Sequence, residues 1–584
     1  MSSMLRQVVS RAKSGTLLRA GEGTLAHRIR NRLASGWSYV SCPGNEPLRD
    51  LTVGDTVDRA AEGFGHREAL VSCFEGIRKT YGEVKEEADR LAAGLLRLGL
   101  QRGDRLAMWG PNCYHWYLTQ FAAAKAGLVF VTINPVFRPE ELEYCLNKVG
   151  VRALVCPPAL RTQEYYKFVC EVAPELPNSP PGSLQSTTAP DLRHVITLGD
   201  QQLPGTVRLT DVLDSATSTD VAAVHDLAKR IQFDEPCNIQ FTSGTTGRAK
   251  AATLSHHNIV NNSYFVGKRF CADQTWHRAL LSVPMFHCFG CVAANQLFMQ
   301  HGGTIVLAAP VWDKTLTLDT IESEHATLIY GTPTMFIDLS SCPDLAQRDL
   351  HTLELGVSGG APLPVKVMQE VMQRIGMKNA LMMYGMTETS PNTFQSFPED
   401  DLETRVGSIG FPQDHLEAKV VDTAGTVVPR GTPGELMLRG YANFLGYWGD
   451  EEATRQIFTA DRWLKTGDLA TMDERGYGRI IGRKKDMVIR GGENIFPKEV
   501  EDLLTTHPAV LEAYVIGVPD ERLGEELCAF IRLKPGQIAD AEDLRAHCQQ
   551  HVAAFKTPRY WRFRDDFPRT TTGKVQKFKL SEFV

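Results

Sequence analysis

The chain has no run of about 18 consecutive apolar residues, the length that a membrane-crossing helix needs. Its best apolar stretches, such as Thr304 to Ala309, have the size of buried strands. Cysteine is sparse. The 13 residues lack the close, paired spacing of a secreted disulfide framework, so a reducing compartment is expected. Positive charge is not in excess: 63 Lys and Arg face 69 Asp and Glu, for a net charge of −6. That balance argues against bulk nucleic-acid binding, but a few local cations can still hold an anionic ligand. The 49 glycines and 31 prolines keep no fixed period, which excludes a collagen-like chain. With 43% hydrophobic and 23% charged residues over 584 positions, the composition is that of a folded multi-domain protein.

Acids are nearly missing from the first 40 residues, where Glu22 stands against Arg6, Arg11, Lys13, Arg19, Arg28, Arg30 and Arg32 with serines interspersed. That is the composition of an organelle transit peptide, and residues 1–40 are read as one, directing the chain to the mitochondrial matrix. No apolar core follows the basic residues, as a secretory signal would require. A basic disordered tail is the alternative.

From about residue 48 strand and helix patterns alternate. Val84, Ala88, Leu91, Leu95 and Leu98 mark one face of an amphipathic helix. Arg105–Trp109 and Val129–Ile133 read as strands around a helix over 115–127. Such units predict an α/β fold of parallel-rich sheets layered with helices. Residues 173–191, rich in Pro and Ser, predict a mobile surface loop. The charged stretch Arg483–Asp486 predicts a boundary between a large domain, 41–483, and a small α+β domain, 484–584. In the small domain, strands are expected at 487–489, 512–518, 527–533 and 560–564, with helices at 497–506 and 540–552.

The strongest chemical signal is Thr242-Ser243-Gly244-Thr245-Thr246-Gly247-Arg248-Ala249-Lys250. Glycines let backbone N–H groups converge on an anion, hydroxyls add donors, and Lys250 adds charge, so a polyphosphate is the natural guest. The spacing is not that of a Walker A loop. A flexible Gly/Thr loop with a solvated lysine is the bland alternative.

This loop resembles the phosphate-binding signature of the adenylate-forming superfamily of acyl-CoA synthetases, coumarate–CoA ligases, luciferases and peptide-synthetase adenylation domains. Further segments follow in the family's order, and the resemblance covers the chain from about residue 60 to its end. In Tyr384-Gly385-Met386-Thr387-Glu388, it implies that Tyr384 packs on adenine, Thr387 contacts the α-phosphate and Glu388 binds Mg²⁺. Taken alone, the segment could be a core tyrosine and a capped helix start. Gly360, Ala361 and Pro362 resemble the adenine-side wall, and Asp468, in Thr466-Gly467-Asp468, the carboxylate that takes the ribose hydroxyls. Arg483 would reach ribose or phosphate. Gly491 and Gly492 would line the pantetheine tunnel, and His287 would stand at the mouth of the acyl pocket. Lys574 matches the catalytic lysine of adenylation, and Lys485 the hinge, where many relatives have Asp. Ala249 stands where proline is frequent.

Within the superfamily the resemblance is to the mitochondrial medium-chain acyl-CoA synthetase branch. It implies ATP, Mg²⁺, coenzyme A and a fatty acid as small-molecule partners. Two alternatives are an adenylating enzyme with another acid or acceptor and a non-catalytic nucleotide binder. Retention of Lys574, Asp468 and Glu388 counts against the second. Cys288-Phe289-Gly290-Cys291 admits a zinc or redox reading, but no second ligand pair is evident. His256-His257 is read as structural.

Overall fold

The computed structural model describes residues 36–242, 249–360, 365–490, 493–570 and 573–584. The segment read as a transit peptide therefore lies almost wholly outside the described residues.

The amphipathic helix expected around Val84–Leu98 runs Tyr81–Arg97. Thr80 caps it by accepting from the Glu83 N–H, and the Glu83 carboxylate reaches back to the Thr80 N–H. Val84, Ala88, Leu91 and Leu95 are fully buried. Each large side chain so removed from water contributes about 1.5–3 kcal/mol. The next helix, Tyr114–Lys125, is buried on nearly every side, the pattern of a helix sandwiched within a core.

Among the described residues the chain forms four sheets. In the first, of eight strands, Pro236–Thr242, Val129–Ile133, Arg105–Trp109, Val151–Cys156, His194–Thr197 and Val207–Arg208 run parallel. Lys250–Ser255 and Gly446–Tyr447 add an antiparallel edge. The second, of nine strands, has a parallel centre that includes Leu328–Gly331, Leu355–Gly359 and Asn379–Gly385. The third is antiparallel throughout: Tyr39–Cys42, Leu416–Val421, Gly434–Gly440, Leu464–Met472 and Gly478–Arg483. Helix–strand alternation did not foretell this sheet, because consecutive antiparallel strands need no crossover helix.

The small C-terminal domain holds the fourth sheet, with Val488–Arg490, Glu493–Ile495, Val510–Asp520, Gly524–Leu533 and Tyr560–Phe563. Helices Pro497–Thr505 and Ala541–His551 fall where the sequence puts them.

Residues 173–191 depart from the mobile loop expected. Apart from the short 3-10 helix Leu176–Asn178 they are irregular, yet Leu176, Leu184 and Ala189 are buried in the core beside Tyr165 and Val169. Apolar anchors spaced between the prolines pin the segment down. No helix among the described residues is long and apolar enough to cross a membrane.

Candidate active site

Residues of three sheets come together at the candidate site. Strand Leu464–Met472 pairs antiparallel with Gly478–Arg483, and the register sets Asp468 opposite Arg483. Arg483 Nε lies 3.0 Å from Asp468 Oδ1. The other carboxylate oxygen accepts from the Tyr384 hydroxyl at 2.7 Å. Tyr384 sits near the end of strand Asn379–Gly385 in the nine-stranded sheet, so Asp468 is gripped from two sheets. Burial, and then the Asp468 charge, push the Tyr384 phenol well above its usual range, which keeps it a donor.

The chain then turns sharply. Gly385 passes so close to Pro391 that a Cβ there would lie 1.7 Å from its carbonyl oxygen. The following turn, Thr387–Thr389, is buried. Thr387 Oγ1 lies 3.6 Å from Cys288 Sγ. Glu388, only 6% exposed, accepts from the Tyr447 hydroxyl on Oε1 at 2.7 Å. Its Oε2 has no partner among the described residues, and a buried carboxylate with a free oxygen suits a hard dication.

Lys250 and Thr242 face each other where their strands flank the phosphate-loop signature, and Thr242 Oγ1 donates to the Lys250 carbonyl at 3.4 Å. Between them, Ala249 accepts from the Tyr144 hydroxyl at 2.9 Å. The Lys250 ammonium rests 4.9 Å from the centre of the Tyr447 ring. Tyr447 thus touches both Lys250 and Glu388, and sequence reasoning passed over it. The available signal was an aromatic residue after Gly446, in a short segment that pairs with the Lys250 strand. Ser243, Gly244, Thr245, Thr246, Gly247, Arg248, Ala361, Pro362, Gly491 and Gly492 lie outside the described residues. Gly360 is described and adopts a φ of +85°, which favours glycine.

His287 accepts from the Phe289 N–H on Nδ1 at 3.1 Å. Phe289 packs edge-on to Tyr330, with ring centres 5.5 Å apart. No group of three or more His, Cys, Asp or Glu that could hold a metal occurs among the described residues, Cys288 and Cys291 included. Burial pushes the Cys288 thiol up to about 12, and Cys291 Sγ accepts from Gln240 Nε2 at 3.1 Å. His256 is structural, as read: its Nδ1 accepts from the Val53 N–H at 3.0 Å.

The small domain touches the large one beside this site. Arg569, paired with Glu512, donates to the Gly573 carbonyl at 3.2 Å and to Thr334 Oγ1 of the large domain at 3.4 Å. A Cβ on Gly573 would lie 3.5 Å from Thr332 Oγ1. The next residue, Lys574, is exposed, while neighbouring protein crowds out part of its water shell. That desolvation, and then the charges of Arg483 and Lys485 against the opposing pull of Asp468, lower its pKa to about 8. Burial, and then the Lys574 charge, lower His287 to about 4. Lys485 lies exposed in the short turn Lys484–Asp486 directly after Arg483, and Lys484 pairs with Glu435 at 3.0 Å. Asp468 and Arg483 are paired, and the charge of Lys574 acts on His287 while theirs acts on Lys574 across the two domains. The structure also gathers Lys250, Thr387 and Glu388 around Tyr447 and Cys288.

Known proteins are similar to this chain in sequence and fold. The chain is 47% identical over 93% of its length to a medium-chain acyl-CoA ligase, ACSF2, mitochondrial, of Danio rerio, and spans 90% of that protein. Its identity to the Homo sapiens protein of the same name is 44%, over 96% of this chain and 92% of that one. Among solved structures, ATP-bound MatB from Rhodopseudomonas palustris superposes with a TM-score of 0.78 at 29% identity, covering 91% of this chain and 99% of that one. The anthranilate CoA ligase AuaEII in complex with anthranoyl-AMP gives 0.80 at 28% identity, over 92% and 98%. A model of the AMP-binding enzymes matches residues 57–448, and one of the AMP-binding enzyme C-terminal domain matches residues 499–574; the chain belongs to the AMP-binding enzyme family.

Proposed function

We propose that this protein activates a medium-chain fatty acid to its coenzyme A thioester in two steps. In the first, the carboxylate attacks the α-phosphorus of ATP and pyrophosphate leaves. In the second, the thiol of coenzyme A attacks the acyl carbonyl of the acyl-adenylate and AMP leaves. A free carboxylate resists a thiol because oxide is a poor leaving group, and AMP is a good one. The observation that supports this reading is the contact of the small domain with the large one beside Lys574, where Arg569 donates to Thr334 Oγ1 and the Gly573 carbonyl while the charges of Arg483 and Asp468 act on the lysine.

No protein nucleophile is needed in the first step, so catalysis is positioning and charge stabilisation. Asp468 has two acceptor oxygens for a vicinal diol, with Arg483 beside it for ribose or phosphate. Tyr384, Gly360, Ala361 and Pro362 would wall the adenine, and Thr387 would meet the α-phosphate. Thr242 through Lys250 would cradle the outer phosphates. Lys574 and Lys250 would share the developing negative charge. Glu388 would hold Mg²⁺, which neutralises part of the triphosphate charge when bound. His287, beside Cys288 and Phe289, would stand at the acyl mouth.

For the second step, the small domain would turn about Lys485, which withdraws Lys574 and brings Gly491 and Gly492 to line the thiol's path. That swivel would lie two residues after Arg483, next to the proposed boundary at 483/484. The mitochondrial names of the relatives and the acid-poor N-terminus support a mitochondrial address.

A panel of straight-chain acids from C2 to C18, with ATP and coenzyme A, tests the reading by scoring AMP and thioester together. Medium chains should give both in equal amounts. AMP without thioester would favour another acceptor.

A further inference from the structure

Lys250 and Glu388 carry opposite charges at one site, yet no ion pair joins them among the described residues. Tyr447 stands between them: its hydroxyl donates to Glu388 Oε1 at 2.7 Å and its ring face carries the Lys250 ammonium at 4.9 Å. We propose that Tyr447 is a positioning residue for adenylation, holding the metal-binding carboxylate with its hydroxyl and the phosphate-binding ammonium with its ring. The proposal rests on the reading of Glu388 and Lys250 given above.

Gly446–Tyr447 pairs antiparallel with the strand that Lys250 opens, and Tyr447 faces Ala252. Residues 250 and 252 point to the same face, so Lys250 is the diagonal cross-strand neighbour of Tyr447, within reach of an aromatic ring. On its other side, the Phe444 N–H donates to the Glu388 carbonyl at 3.0 Å, which ties the segment to the Glu388 turn. Tyr447 is 8% exposed, and its own N–H donates to Thr454 Oγ1 at 2.9 Å. The side chain is thus fixed by main-chain pairing before any ligand arrives.

The chemistry then asks why this aromatic carries a hydroxyl. Phe444, 4.9 Å away ring to ring, already supplies apolar packing. The hydroxyl adds one bond, to Glu388. A direct Lys250–Glu388 bridge would cancel the two charges that a metal–triphosphate needs. The interposed ring prevents it by a cation–π contact that leaves the ammonium charge intact. The hydroxyl occupies one carboxylate oxygen and leaves the other for a cation. Partners that orient a metal ligand in this way typically account for about 10–100-fold in metal affinity.

The test uses the full-length protein with Mn²⁺ and a non-hydrolysable ATP analogue, reading bound Mn²⁺ by electron paramagnetic resonance. Tyr447→Phe removes one oxygen and keeps the ring, so Mn²⁺ affinity should fall about ten-fold or more. Thermal stability and thioester formation from supplied acyl-adenylate should hold. Tyr447→Leu removes the ring as well, and should add a loss in kcat for acyl-adenylate formation. Glu388→Gln sets the reference. If it loses Mn²⁺ while Tyr447→Phe binds the metal as the parent does, the inference is overturned and the Glu388 reading stands. If Glu388→Gln binds Mn²⁺ unchanged, the Glu388 reading fails and the inference fails with it. If Tyr447→Phe slows both half-reactions and melts early, the residue is merely structural and the inference is again overturned.

Discussion

Arg483 Nε stands 3.0 Å from Asp468 Oδ1 across neighbouring strands, while Tyr384 donates to the opposite oxygen of the same carboxylate at 2.7 Å. Asp468→Ala removes the shared acceptor. It leaves the Arg483 charge uncompensated and the Tyr384 phenol without its partner. Hydrogen bonds to charged groups contribute about 1.5–3 kcal/mol each, so the KM for ATP should rise at least about ten-fold with a smaller change in kcat. Initial rates across an ATP titration check this. An unchanged ATP dependence would remove Asp468 from the nucleotide site.

Lys574→Ala should separate the half-reactions. Loss of one such donor commonly slows a step by about 10²–10³-fold, and that loss should fall on acyl-adenylate formation. Thioester formation from supplied acyl-adenylate should proceed nearly as in the parent. Equal loss in both steps would contradict a lysine that serves one domain orientation only.

The pKa of Lys574 gives a pH signature. It is lowered to about 8, first by desolvation and then by Arg483 and Lys485, so the ammonium is present below that pH and lost above it. Acyl-adenylate formation should therefore decline as pH rises through about 8, while the thioester step from supplied acyl-adenylate lacks that limb. Lys485→Ala removes a neighbouring cation and should move the limb to higher pH. A limb that stays put would separate the two charges.

Gly385→Ala tests the tight turn behind the site. The new Cβ would lie 1.7 Å from the Pro391 carbonyl oxygen, which is backbone and cannot swing aside. Overpacking of this kind costs about 1–3 kcal/mol, so the melting temperature should fall and adenylation weaken with it. Calorimetry alongside the ATP titration reads both, and an unshifted melt would mean that the turn relaxes freely.

Much of the layout was legible along the chain. The periods of Val84, Ala88, Leu91 and Leu95 and the elements after Arg483 are local patterns set by side-chain spacing and turn chemistry. The antiparallel sheet through Leu416–Val421 and Leu464–Met472 was not legible, because its pairings join distant segments and carry no periodicity that separates them from parallel strands. Residues 173–191 misled for the opposite reason. Proline and serine content spoke for a loop, and the burial of Leu176 and Leu184 depends on a pocket built elsewhere.

The residue types needed to hold a nucleotide, a cation and an acid are written into short motifs, since each motif's chemistry depends on neighbours a few positions apart. The meeting of those motifs is a matter of long-range register. Asp468 finds Arg483 through a strand pairing, Tyr384 reaches Asp468 from another sheet, and the segment that carries Lys574 meets the large domain at Thr332 and Thr334. Tyr447, 59 residues from Glu388 in sequence, becomes its neighbour through the pairing with the Lys250 strand. Contacts of that kind are decided by which strands share an edge, which the order of residues alone does not specify.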